Sequence, residues 1–242
     1  MPNFTGDPQI AARNLFSTSA TQEHDLGSRF VTSDGRVFRY CLAGASALVV
    51  GNVIQASAQD TAHQQLTPSA AAAGAVQIVA ALGASAAAAN LYAGGWAIID
   101  TTPGLGYAYP ISGHAAVASS GTITLNLDRD SPVDVALTTS SRVSLQRNPY
   151  AGVIQAPTTL TGAVVGVAIY PITAAQYGWI QTHGPAAVLV AGTPGVGLAV
   201  VVPGSAAGAV VIDGAASATK VVGSMMVTGV DGKVQAVLIN IN

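Results

Sequence analysis

Apolar and polar residues alternate one by one through much of this chain. GTITLNL (121–127) sets Thr122, Thr124 and Asn126 against Ile123, Leu125 and Leu127, and SSRVSLQ (140–146) repeats the pattern. A period of two is that of a β-strand with one buried face. RFVTSDGRVFRYCLA (29–43) carries Asp34-Gly35 between two such runs, which predicts a tight hairpin. After the turn, Arg36, Phe38 and Tyr40 share one face and Val37, Arg39 and Cys41 the other. ALVVGNVIQAS (47–57) continues as a strand interrupted at Gly51. The Ala-rich stretch 67–82 is the one place compatible with a helix, although AVQIVAAL within it equally fits a strand.

From residue 162 the runs become more uniformly apolar. GAVVGVAIYPI, YGWIQTH, AAVLVAG, LAVVVPG, AGAVVIDG, VVGSMMVTG and KVQAVLININ follow one another, several of them closed by glycine, with a hairpin signal at Asp231-Gly232. In YGWIQTH, Trp179, Gln181 and His183 lie on one face and Ile180 and Thr182 on the other. Regular short runs with turn residues between them predict an all-β sandwich or barrel. Two echoes run through it: 42–56 resembles 190–202, and VVGVAIYPI (164–172) resembles VVGSMMVTG (221–229), with no fixed period. They are either a duplication or a by-product of the Gly and Val content.

Residues 1–28 differ from the rest, with Pro, Asn, Ser, Thr and scattered charge but little periodicity. We expect an extended N-terminal arm, laid across a neighbouring subunit or folded back on its own domain, and expect removal of residues 1–26 to weaken assembly while leaving the fold intact. The β-rich domain then covers 29–242, divisible into 29–150 and 151–242.

Charge sharpens this picture. Only 8% of the 242 residues are charged and the formal net charge is −2; nothing charged occurs between Arg147 and Asp213. Globular chains average about 25% charged residues. Nine scattered Lys and Arg make no basic stripe, so nucleic acid is not an expected partner. Near-neutral surfaces favour association. Residues 69–90 have the length of a membrane helix, but Gln77, the Ala and Gly content and the missing basic flank argue against a span. Pro194 and three glycines break the other apolar candidate, 186–202. Residues 1–28 lack a basic start and apolar core, so no signal peptide is expected. Cys41 stands alone and is read as a small buried hydrophobe.

Candidate chemistry is sparse. GTPGVG (192–197) is neither GxGxxG nor a phosphate loop with its lysine, and LAVVV after it reads as strand. Asp128, Asp130 and Asp134 crowd DRDSPVD, a solvated turn or, less simply, a calcium loop without the Gly and Glu of an EF-hand. His24, His63, His114 and His183 show no metal-ligand spacing, and no GxSxG occurs. We therefore expect no catalytic, metal or cofactor-binding residues and no enzyme. Trp96 and Trp179 are flanked by apolar residues and are expected to be buried, which removes the exposed aromatics a sugar site needs.

Taken in order, NLYAGGWAIIDTTPGLGYAYPISGHAA, GTITLNL, SLQRNPYAGVIQAP and GAVVGVAIYPITAAQYGWIQTHGPAAVLVAG resemble structural proteins of tailed bacteriophages, of the capsid cement or decoration type, across roughly 30–242. The resemblance implies a β-rich, non-enzymatic virion component on the capsid surface. Its expected partners are the major capsid protein and further copies of itself, a trimer before a dimer, with no cofactor, nucleic acid or membrane. A tail-tube or head–tail component and, from another class, a β-sandwich adhesin are the alternatives. Arg29, Arg36 and Arg39 are either contacts for an acidic capsid rim or ordinary solvated surface.

Overall fold

The computed structural model describes residues 15–203, 205–214 and 220–241. Among them are fifteen strands: β1 (Arg29–Val31), β2 (Val37–Ala43), β3 (Val53–Gln55), β4 (Gln77–Ala81), β5 (Trp96–Ile99), β6 (Ala108–Gly113), β7 (Thr122–Leu127), β8 (Val143–Gln146), β9 (Ala151–Gln155), β10 (Val164–Ala168), β11 (Tyr177–Val190), β12 (Ala199–Val202), β13 (Val211–Ile212), β14 (Lys220–Met225) and β15 (Lys233–Asn240). The fold is all-β. The Ala-rich stretch 67–82 forms strand β4 and no helix. Among the described residues no helix is long and apolar enough to cross a membrane.

The chain divides into two compact units, but not in succession. Residues up to Ala58 and from Pro149 onward form the first, and Gln59–Asn148, the second, is inserted within it. The expected division at 150/151 thus marks only the insertion's far end.

In the first unit β2, β9, β3, β10 and the first half of β11 pair in a ring, closed where β11 returns to β2. The second half of β11 opens another ring with β15, β14, β12 and β13. That one closes through a parallel bridge between Val190 and Val210, whose N–H donates to the Leu189 carbonyl at 2.9 Å. The two rings share one topology: β2, β3, β9, β10 and β11 of the first correspond to β11, β12, β13, β14 and β15 of the second. Both sequence echoes fall on corresponding elements, which identifies them as a structural duplication. Their offsets are 148 positions (Leu42 to Val190) and 57 positions (Val164 to Val221), and the difference matches the length of the inserted unit to within one residue. The insertion between β3 and β9 is what hides the period.

A single 14-residue strand serves both rings. It passes from one to the other at Gly184, where φ is +91°, beside a register irregularity between Gln181 and His183. That φ favours glycine, and a Cβ there would lie 2.9 Å from Arg36 Cγ. The inward side chains are small or β-branched, as narrow barrels require: Cys41, Ala43, Ile54, Val153 and Ile180 in the first, and Val188, Val200, Val222, Val237 and Ile239 in the second.

The N-terminal segment folds back on its own unit from Leu15 onward. Ser19 and Tyr177 exchange two backbone hydrogen bonds (3.1 and 2.8 Å), and Leu15 is buried with Phe38, Tyr40 and Trp179. His24, Phe30 and Tyr40 approach Trp179 with ring centroids at 5.4, 6.1 and 5.1 Å. Residues 178–182 are consequently buried on both strand faces, which explains why no polar alternation survives there. Residues 15–28 complete this aromatic core, which argues against their being dispensable for the fold; residues 1–14 lie outside the described part.

In the second unit β4, β7, β6, β5 and β8 pair in that order. Bridges from Leu66 to Val143 and from Pro68 to Ala80 close the ring through the segment before β4. Its strands alternate as read, with β7 buried at every second residue. The β4–β7–β6–β5 portion repeats the β2–β11–β10–β3 order. The loop contacts repeat too: Leu48 and Ile172 exchange two backbone hydrogen bonds in the first unit, as Ala87 and Val117 do in the second.

Candidate functional site

The residues singled out for chemistry are dispersed over the fold, and the two buried histidines are satisfied within it. His63 is fully buried: its Nε2 donates to the Ser85 carbonyl (3.0 Å), so its Nδ1 accepts from the Tyr92 hydroxyl (2.5 Å). His114, 4% exposed, accepts the Tyr92 N–H at Nε2 (3.1 Å) and donates from Nδ1 to the Ala115 carbonyl (2.8 Å). Burial pushes the Tyr92 hydroxyl up to about 12. This buried His63–Tyr92–His114 cluster escapes sequence reading because its members are 22 and 29 residues apart. With both ring nitrogens of each histidine bonded inside the unit, it ties loops together and offers no group to a substrate.

The remaining candidates fare similarly. His24 packs edge-on against Tyr40, and His183 is exposed at the β11 kink. Cys41 is buried and burial pushes its thiol well up. Asp128 accepts from the Asp130 N–H (3.3 Å), and the Asp134 N–H donates to the Tyr109 hydroxyl (3.1 Å). Among the described residues no three His, Cys, Asp or Glu side chains are grouped to hold a metal ion. Gly192–Gly197 is a turn leading to β12, a strand, with the Gly192 N–H donating to Asp231 (2.7 Å). Arg36 pairs with Asp34 (2.8 Å), Arg39 donates to the Gly27 carbonyl (2.9 Å), and Arg29 is exposed.

What the strands present outward is more distinctive. On the second barrel of the first unit, cross-strand partners Pro185–Leu238, Ala187–Ala236 and Leu189–Val234 form three rows on the outer side of β11 and β15. Met226 and Val227 flank them on the β14 side, where the Met226 N–H donates to the Ala236 carbonyl (3.0 Å). A shallow groove of ≈ 400 Å³ runs over the middle of this strip. At one end the Gly51 backbone lies against Val234, and the exposed Val49 and Val50 immediately precede it in the chain. No charged side chain belongs to the three rows. An antiparallel sheet with one face in solvent ordinarily places polar residues there.

The second unit has an outward face of its own. Trp96 and Ile98 on β5 are each 38% exposed, between Pro110 and Ala108 of β6 and Gln146 and Ser144 of β8. Trp179 is buried as expected, at 2%, but Trp96 is not. Its neighbours are apolar because Ala97 and Ile99 point into the barrel, while Trp96 takes the opposite parity. Alternation within WAII was the available signal. No protein-family model, curated protein or solved structure matches the chain.

Proposed function

We propose that this chain is a non-enzymatic structural component of a bacteriophage particle, a cement or decoration protein that bridges capsomers on the capsid surface and associates with its own copies. The observation carrying the proposal is the set of three charge-free, apolar rows on the outer side of β11 and β15, in a chain with hardly any charge. Such a face costs little to desolvate, whereas an unpaired buried charge costs several kcal/mol. Closed rings leave few unpaired strand edges, so contacts are made by faces, and repetition over a symmetric shell multiplies weak ones. The resemblance to phage structural proteins supplies the class of assembly. Among the described residues the titratable groups are spread over the fold instead of converging on a cleft, which supports a non-catalytic role.

Immunogold labelling of purified phage particles with antibody against the chain tests this. Label over the head is the expected result. Label confined to the tail assigns the chain to a tail-tube or head–tail component, and its absence from particles refutes a virion role. One observation favours an adhesin instead: the Trp96 ring is 38% exposed on the outer face of β5, with Ile98 at the next outward position. Saturable glycan binding abolished by Trp96→Ala decides for that reading.

A further inference from the structure

We propose that the outer face of β11 and β15 is an isologous contact with a second copy of this chain. The inference rests on the assembly role above and names the surface through which copies meet. Three properties of the strip carry it.

The first is its symmetry of size. Along the strands the cross-strand rows run bulky (Pro185–Leu238), small (Ala187–Ala236) and bulky (Leu189–Val234). Within these three rows the strip therefore reads alike from either end, bordered at the Pro185–Leu238 end by the polar pair His183–Asn240. A two-fold contact demands this self-complementarity, because each copy presents the same patch in the opposite direction. The trimer expected from the resemblance needs two different patches, and this strip supplies one patch used twice.

The second is area. Leu238, Val234, Met226, Val227, Val49 and Val50 are each 38–55% exposed. At on the order of 100 Å² of buriable surface per side chain, they offer about 250–300 Å². Pro185, Ala187 and Ala236 bring the strip to roughly 400 Å². A standard interface covers about 800 Å² per partner, a little over half of it apolar. The strip thus matches the apolar share of one side of a dimer contact.

The third is charge. The rows select neither an acidic nor a basic partner, and the formal net charge of −2 gives two copies little mutual repulsion.

Sedimentation velocity of the full chain at tens of micromolar tests the contact. The expected result is a dimer for the wild type and a monomer for Val234→Glu/Leu238→Glu, with association weakened by about 100-fold or more and the circular dichroism spectrum unchanged. Under oxidising conditions Ala187→Cys, on the small middle row, forms a disulfide-linked dimer, since the native Cys41 is buried. A wild type that stays monomeric overturns the proposal, as does a folded double variant that keeps the wild-type stoichiometry. If the double variant fails to fold, Ala187→Cys decides: no cross-link overturns the contact. Co-sedimentation with capsids is scored separately. A double variant that remains dimeric but no longer binds capsids gives the strip to the shell and overturns the two-copy contact. A wild-type dimer that ignores capsids supports the strip and refutes the cement function.

Discussion

Replacing Trp179 by alanine tests whether an aromatic core holds residues 15–28 on their own barrel. Trp179 is 2% exposed and meets His24, Phe30 and Tyr40 at centroid distances of 5.4, 6.1 and 5.1 Å. A buried tryptophan removes about 150–250 Å² from water, worth roughly 4–6 kcal/mol at about 25 cal/mol/Å². Core Trp→Ala substitutions cost about 3–5 kcal/mol. Taking the lower range, and about 2–4 °C per kcal/mol for a chain of this size, the melting temperature falls by roughly 6–20 °C. Leu15 and Leu26 lose their packing partner at the same time, so chymotryptic cleavage within 15–28 accelerates under native conditions. Thermal melts followed by circular dichroism and timed digestion read both effects. A fall below about 2 °C with 15–28 as resistant as in the wild type refutes the reasoning.

Three further outcomes follow from individual residues. Native Cys41 resists a thiol reagent and reacts on unfolding, because it is buried and its thiol is held protonated; fast native labelling contradicts this. Tyr92 keeps its proton in the folded state up to about 12, against 10.0 when exposed, so above pH 10 the unfolded chain gives up a proton that the fold retains. Stability is therefore fully present below pH 10 and lost between 10 and 12, and denaturant melts of Tyr92→Phe show a shallower decline there than the wild type. Ala175 is exposed with φ +57°, a region unfavourable for alanine by about 1–2 kcal/mol. Ala175→Gly recovers part of that, offset by the larger unfolded-state entropy of glycine, for a net gain of about 0.5 kcal/mol by chemical denaturation; a loss contradicts it.

Strand alternation was legible where one face meets water and the other a core. Thr122–Leu127 is buried at each second residue as read, and Asp34-Gly35 and Asp231-Gly232 turn with glycine φ of +83° and +68°. Legibility failed where that premise failed. YGWIQTH and AAVLVAG looked like two strands because Gly184 and Pro185 separate them, yet they are one strand bent between two barrels. The outer strip was invisible because Pro185, Ala187 and Leu238 read as core when polar partners are missing. The His63–Tyr92–His114 cluster depends on loops far apart in sequence, and no local pattern encodes that meeting.

The duplicated barrels show what the inserted unit displaces. In the second barrel, the link between the strands corresponding to β3 and β9 spans only 203–210. In the first, the same link carries Gln59–Asn148. The later copy is thus a natural blueprint for the earlier one without its guest. None of the host ring's own pairings involves the inserted residues, so that position has the form of a socket, and splicing it shut with a short turn copied from its twin is expected to leave the staves in register.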